Sequence, residues 1–275
     1  MRCDGLARDD DPVSVEHVPP IFVSHGTPSL AVDPARGGEL TQWGKDLGKP
    51  RAVLVVSAHW QAPTLSRGST AARPPLLRDF EDHAGLPLPD ELGRVSYAAP
   101  GAPDLAYELH SLLPVERVPD RGWDHGVWTP LVHLFPEADV PVLQLSLVLG
   151  ATPRTLFAIG RKIGVLATRG VLLVGSGGVT NAIAAMDPRP DAPPADWARA
   201  FDAWVANMLA DAELDALLQW RANAPNARQA HASSEHLDPL FVIAGAASLY
   251  DHAVGFPIRG FEHATLSRRC IQFGR

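Results

Sequence analysis

Three runs of consecutive apolar residues, rich in β-branched side chains, constrain this chain more than anything else in it: Pro20–Ser24 (PIFVS), Ala52–Ser57 (AVLVVS) and Val171–Gly175 (VLLVG). A strand with one face in water alternates apolar and polar side chains. A strand that is apolar at every position has both faces covered, as in a parallel sheet. Val140–Leu147 (VPVLQLSL) reads the same way, with Pro141 near its start, where a missing N–H is tolerated. The stretches between these runs have helical spacing. Asp104–Leu113 opens on an acidic residue suited to a cap, and Thr152–Arg169 sets Leu156, Ile159, Ile163 and Leu166 on one face before stopping at Gly170. Ala195–Leu218 carries Trp197, Phe201, Trp204, Met208 and Leu217, and Asp238–Leu249 is apolar enough to be buried. Strands alternating with helices predict an α/β fold: one central, largely parallel sheet flanked by helices on both faces.

The pattern continues past the Pro-rich stretch 187–194, which therefore reads as a surface loop and not a linker. With no internal repeat, residues 20–275 are expected to form a single domain, and residues 1–19 a disordered tail. That acidic tail lacks the apolar centre of a secretory signal, and no run approaches the length of a membrane span. Cys3 and Cys270 form no framework and read as free thiols, so a cytoplasmic protein is expected. Twenty-four basic against 31 acidic residues give a net charge of -7, with no basic cluster. A nucleic-acid partner is thereby excluded. The region Gln61–Pro100 is poor in periodicity and rich in Pro and Gly, and a loop of that length in a compact domain is more often functional than idle.

The chemistry is carried by histidines. His25 directly follows the first apolar run and precedes the turn sequence Gly26-Thr27-Pro28; His59 follows the second in Ser57-Ala58-His59-Trp60. Ligands of open α/β sheets bind beyond the carboxyl ends of the strands, so two histidines at two such ends can face one cleft. Each could instead hydrogen-bond a loop carbonyl. A divalent metal needs at least a third donor, and the turn before the last apolar helix offers two, His236 and Glu235. Glu235 could equally interact with the helix dipole. His125, in Gly122-Trp123-Asp124-His125-Gly126-Val127-Trp128, reads either as a proton carrier in a pocket walled by Asp124 and the tryptophans, or as part of a tryptophan-rich turn packed on the core. His17, His83, His110, His133, His252 and His263 read as surface or packing residues. Gly175-Ser176-Gly177-Gly178 matches no phosphate-binding pattern and reads as a tight strand-to-loop turn.

Taken together, S-H-G-T-P (24–28), S-A-H-W (57–60), D-H-G-V-W (124–128) and E-H-L-D-P-L (235–240) resemble the signatures of the class III extradiol dioxygenases, in the branch of the DOPA-type enzymes. D-F (79–80), G-L-P (85–87), Y-A-A-P-G (97–101), G-S-G (175–177) and G-F-E-H-A-T-L-S (260–267) extend the likeness from about Pro20 to the end of the chain. The resemblance implies one non-haem Fe(II) or Zn(II) per chain at the strand ends, with His25, His59 and His236 as ligands and His125 facing a small aromatic substrate. It also implies O2 as co-substrate and cleavage of a catecholate beside its two hydroxyls. One departure stands out. The family's segment after G-S-G runs to a His-Asn pair whose His is the acid/base over the substrate, whereas this chain places Asn181 there. Asn hydrogen-bonds but transfers no proton near neutral pH. Three expectations follow: an extradiol-type dioxygenase with altered proton transfer, a redox-neutral Zn enzyme on the same fold, or a catalytically silent metal-containing binding protein.

Overall fold

The computed structural model describes residues 17–80, 88–250 and 253–274. In chain order the strands are β1 (Ile21–Ser24), β2 (Ala52–Ala62), β3 (Ser66–Arg67), β4 (Glu116–Arg117), β5 (Val142–Val148), β6 (Val171–Gly177), β7 (Val254–Gly255), β8 (Phe261–Glu262), β9 (Leu266–Ser267) and β10 (Ile271–Phe273). An eight-stranded sheet runs β4-β3-β5-β2-β6-β1-β10-β7, and β8 pairs with β9 apart from it. The four apolar runs lie side by side at its centre as β5-β2-β6-β1, all parallel. Antiparallel neighbours flank them, β10 on β1 and β3 on β5.

Both faces of that centre are covered, which is why β1, β2 and β6 open on consecutive apolar residues, while β5 interrupts its apolar run with the buried Gln144 and Ser146. Leu54 and Val56 of β2 join one core cluster while Val53 and Val55 join another. The helices are α1 (Pro34–Leu47), α2 (Pro103–Leu112), α3 (His125–Leu134), α4 (Pro153–Ile163), α5 (Asp196–Ala210), the short α6 (Leu214–Leu218), α7 (Trp220–Asn223) and α8 (Ala227–Ala230), and α9 (Asp238–Ala247). Residues of α4, α5 and α9 fill the first cluster; those of α1 and α3 fill the second. Helix α9 is buried along its whole length, as its composition predicts.

Three elements differ from expectation. Thr152–Arg169 is α-helical only to Ile163 and tightens into a 3-10 helix over Gly164–Arg169. Ala195–Leu218 breaks after Ala210, where Ala212 adopts a left-handed φ of 57° and turns the chain into α6. Residues 125–134 form a helix and not a tryptophan-rich turn, although Pro130 lies inside it. Local propensity disfavours that helix; burial of nearly every one of its residues outweighs the cost. Cys270 is a buried free thiol, and Cys3 lies outside the described residues. Among the described residues no helix is long and apolar enough to cross a membrane.

Candidate active site

The carboxyl ends of β1, β2 and β6 meet at one edge of the sheet, and the histidines converge there. His25 directly follows β1, with its backbone N–H donating to Gly177 O at 3.0 Å; Gly26, at φ 59°, then turns the chain away. His59 was expected just beyond its strand but lies within it. β2 continues to Ala62, and its pairing with β5 slips between Val56 and Gln61. Such a bulge re-aims a side chain without ending the strand. His236 occupies the turn before α9, its carbonyl accepting from Gly178 N–H at 2.9 Å. The ligand-capable nitrogens of His25, His59 and His236 all lie within 4.8 Å of one another. Nε2 of His25 and Nε2 of His59 are 3.1 Å apart.

Partners behind the rings settle which nitrogen faces inward. The Ser176 hydroxyl donates to Gly126 O at 2.5 Å, so its oxygen is left to accept from His25 Nδ1 at 2.9 Å. With the proton on Nδ1, the lone pair of His25 is on Nε2, facing the cluster. Glu235 Oε1 lies 3.4 Å from His236 Nδ1 and accepts from Ser233 Oγ at 2.8 Å. Burial raises the Glu235 carboxyl, but these hydrogen bonds outweigh it and bring it down to about 2. Glu235 thus stands behind His236 as an anion, while His236 itself joins the other two rings.

His125 opens α3, almost fully buried, with its ring centroid 3.9 Å from that of His59. Its Nδ1 and its backbone N–H both reach Asp79 Oδ1, at 3.0 and 2.9 Å. Burial pushes the Asp79 carboxyl up, but the hydrogen bonds from His125 more than compensate, and the net shift is downward. Asp79 is what the loop 61–100 brings to the site. Trp123 and Trp128 are completely buried in the core, so they underlie the site and wall no open cleft.

Asn181 is half-buried on the loop that leaves β6, its backbone N–H donating to Ala230 O at 3.1 Å and its backbone bridging to Leu266. The glycines before it do not make a turn: Gly175 and Gly177 lie within β6. A Cβ on Gly177 would fall 2.0 Å from His236 O, so glycine there lets the turn bearing His236 sit directly on the strand.

Of the remaining described histidines, His17 stacks on Tyr250, His110 is exposed, His133 reaches Leu30 O and His263 reaches Asp187 O. His83, His252 and the G-L-P stretch lie outside the described residues. Sequence reasoning passed over Asp79 as a partner, Ser176 and His231. Ser176 gives the clearest signal, a hydroxyl at the end of an apolar strand. His231, fully buried with Nε2–H donating to Val179 O at 2.8 Å, gives none, because its neighbours are distant in sequence.

The family described as the catalytic LigB subunit of aromatic ring-opening dioxygenase matches residues 13–267. A 4,5-DOPA dioxygenase extradiol from Beta vulgaris is 35% identical over 236 residues, covering 82% of this chain and 85% of its own length. The protein of that name from Escherichia coli K12 is 32% identical over 271 residues, covering 95% and 97%. The crystal structure of an uncharacterized protein from Escherichia coli K12 superposes with a TM-score of 0.76 at 27% identity, covering 94% of this chain and 100% of its own.

Proposed function

The chain belongs to the family of the catalytic LigB subunit of aromatic ring-opening dioxygenases and is an extradiol-dioxygenase-like enzyme; on that premise we propose that it opens the ring of a small catechol-like compound beside its two hydroxyls. The observation that carries the reading is the convergence of His25, His59 and His236. The donor set fits a divalent ion: three imidazoles, two of them with Nδ1 engaged by Ser176 or Glu235 so that the other nitrogen turns inward. These three residues would hold one Fe(II). Such an ion, when bound, supplies a shared centre for the two catecholic oxygens and O2.

The proton traffic falls to His125. His125 is held at Nδ1 by Asp79, whose carboxylate stabilises the ring when it is protonated. We assign Nε2 of His125 as the atom that accepts a hydroxyl proton as the catechol binds and returns it after cleavage. Asn181, where the family's acid/base stands, orients the substrate by hydrogen bonding alone. That substitution is also the one observation favouring a second reading, a redox-neutral Zn(II) enzyme using the same three histidines.

Metal analysis and oxygen uptake separate the two. Purified protein is expected to hold one ion per chain and, loaded with Fe(II), to consume O2 with single-ring catechols. His125→Ala is expected to keep the ion and lose about 10²–10⁴-fold in turnover. Turnover of a non-catechol substrate without O2, and no oxygen uptake with any catechol, would replace the first reading by the second.

A further inference from the structure

Asp124 precedes α3 at the position where an aspartate ordinarily accepts from the helix's own first N–H groups. It makes no such cap bond. That service comes from Asp79, which accepts the His125 N–H. The Asp124 carboxylate, with no exposed surface, instead points at β2. The Ser57 hydroxyl donates to Oδ1 at 2.7 Å, Gln144 Nε2 donates to Oδ2, and Arg121 Nη2 reaches Oδ2 at 3.3 Å.

Two of these partners go on to His59. Its backbone N–H donates to Ser57 Oγ at 3.2 Å, and Arg121 Nη2 also reaches His59 O at 3.3 Å. The site matters because His59 sits where the ladder fails. Pairing of β2 with β6 ends at Ser57, and pairing with β5 slips before Gln61. In a regular strand, neighbouring strands would satisfy and fix that N–H and C=O. Here side chains tied to one carboxylate do so.

The segment Asp124-His125-Gly126 also reaches His25, which follows the neighbouring strand β1. Gly126 O accepts from Ser176, which in turn holds His25 Nδ1. A Cβ on Gly126 would lie 2.4 Å from Ser57 Oγ and 3.1 Å from His59 Cδ2, so the approach of α3 to β2 needs glycine.

We propose that Asp124 is a positioning residue for the metal centre: acting through Ser57 and Arg121, it fixes the backbone of His59 at the β2 bulge and thereby sets that imidazole's place in the three-histidine cluster. The proposal rests on the reading that His25, His59 and His236 hold the ion. At the bulge the sheet ladder does not fix the backbone of His59, so the clamp is what holds the direction in which its imidazole leaves the strand. Loss of the clamp therefore appears in metal affinity and ligand geometry more than in global stability.

The test is Co(II) titration of the full chain, freed of metal by chelation, for wild type, Asp124→Asn, Ser57→Ala and His59→Ala. Both clamp variants are expected to bind Co(II) 10- to 100-fold more weakly, the range for loss of an outer partner of a ligand. Their visible absorption bands should also shift in position or intensity, which a purely structural support would leave alone. If Asp124→Asn fails to fold, Ser57→Ala, which deletes one hydroxyl, decides alone. Wild-type affinity and spectrum in the folded variants, whatever their melting temperatures, overturn the proposal and reduce Asp124 to a buried support of α3. If wild type shows no Co(II) spectrum that His59→Ala removes, the three-histidine reading falls, and the clamp with it.

Discussion

Acidification from pH 7.5 to 5 should weaken this protein through a buried ring, His231. The side chain is 1% exposed and enclosed edge-on by Phe201 and Trp220, with centroids 5.5 Å away in both cases. Burial pushes its pKa from 6.5 down to about 4, with the hydrogen bond to Val179 O and the charge of Glu235 acting the other way. The unfolded chain therefore takes up the proton first. The stabilisation is fully present above pH 6.5 and is lost as pH falls toward 4. At a pH near 5 the unfolded ring is almost entirely charged and the folded one almost entirely neutral, so the linkage amounts to ~2 kcal/mol. For a domain of this size that lowers the melting temperature by about 4 °C. His231→Gln keeps an N–H able to reach Val179 O and removes the titration. It loses aromatic contact, costing about 1–3 kcal/mol at every pH. Urea midpoints of chelated protein, measured at pH 7.5 and pH 5 for wild type and variant, isolate the effect, since the other groups titrate alike in both. Wild type should lose ~2 kcal/mol more than the variant across that interval. Equal pH dependence in the two proteins would refute the account of a buried neutral ring.

Three further outcomes are expected. His236→Ala should abolish most metal binding, while Glu235→Gln, which keeps an acceptor but loses the charge behind His236, should keep one ion per chain at roughly 10-fold lower affinity, both read by titration against a competing chelator. Retention of full metal content by His236→Ala with its loss in Glu235→Ala would reverse the two assignments. Asn181→His should raise oxygen uptake with catechols by on the order of 10-fold or more under identical iron loading, since an imidazole there can move a proton; a damaged native reaction would show that Asn181 serves a different substrate. Gly177→Ala drives a methyl into His236 O, so it should cost about 1–3 kcal/mol by denaturation and loosen the metal as well; unchanged metal affinity would show that the turn bearing His236 relaxes freely.

What could be read without coordinates had local causes. Both faces of the central sheet are buried, so β1, β2 and β6 had to be apolar at consecutive positions, and each can be picked out from sequence alone. His25 sits where a strand must end, because Gly26 follows it in a conformation that favours glycine. The turn bearing His236 is equally legible, since it precedes a helix too apolar to lie anywhere but inside. The candidate histidines could therefore be named. What joins them could not. His59 aims inward because β2 bulges against β5, and a bulge is a property of two strands paired together. Helix α3 forms against its own Pro130 because burial in the second core outweighs local propensity. The partners that set proton positions stand far away along the chain, Ser176 151 residues from His25 and Asp79 46 residues from His125. Hydrophobic period is written in neighbouring residues, so the sequence by itself determined the layers and named the candidate histidines. Hydrogen bonds between distant side chains exist only after the sheet has closed, so tertiary structure alone decided which nitrogen of His25 faces the centre and which carboxylate holds His125.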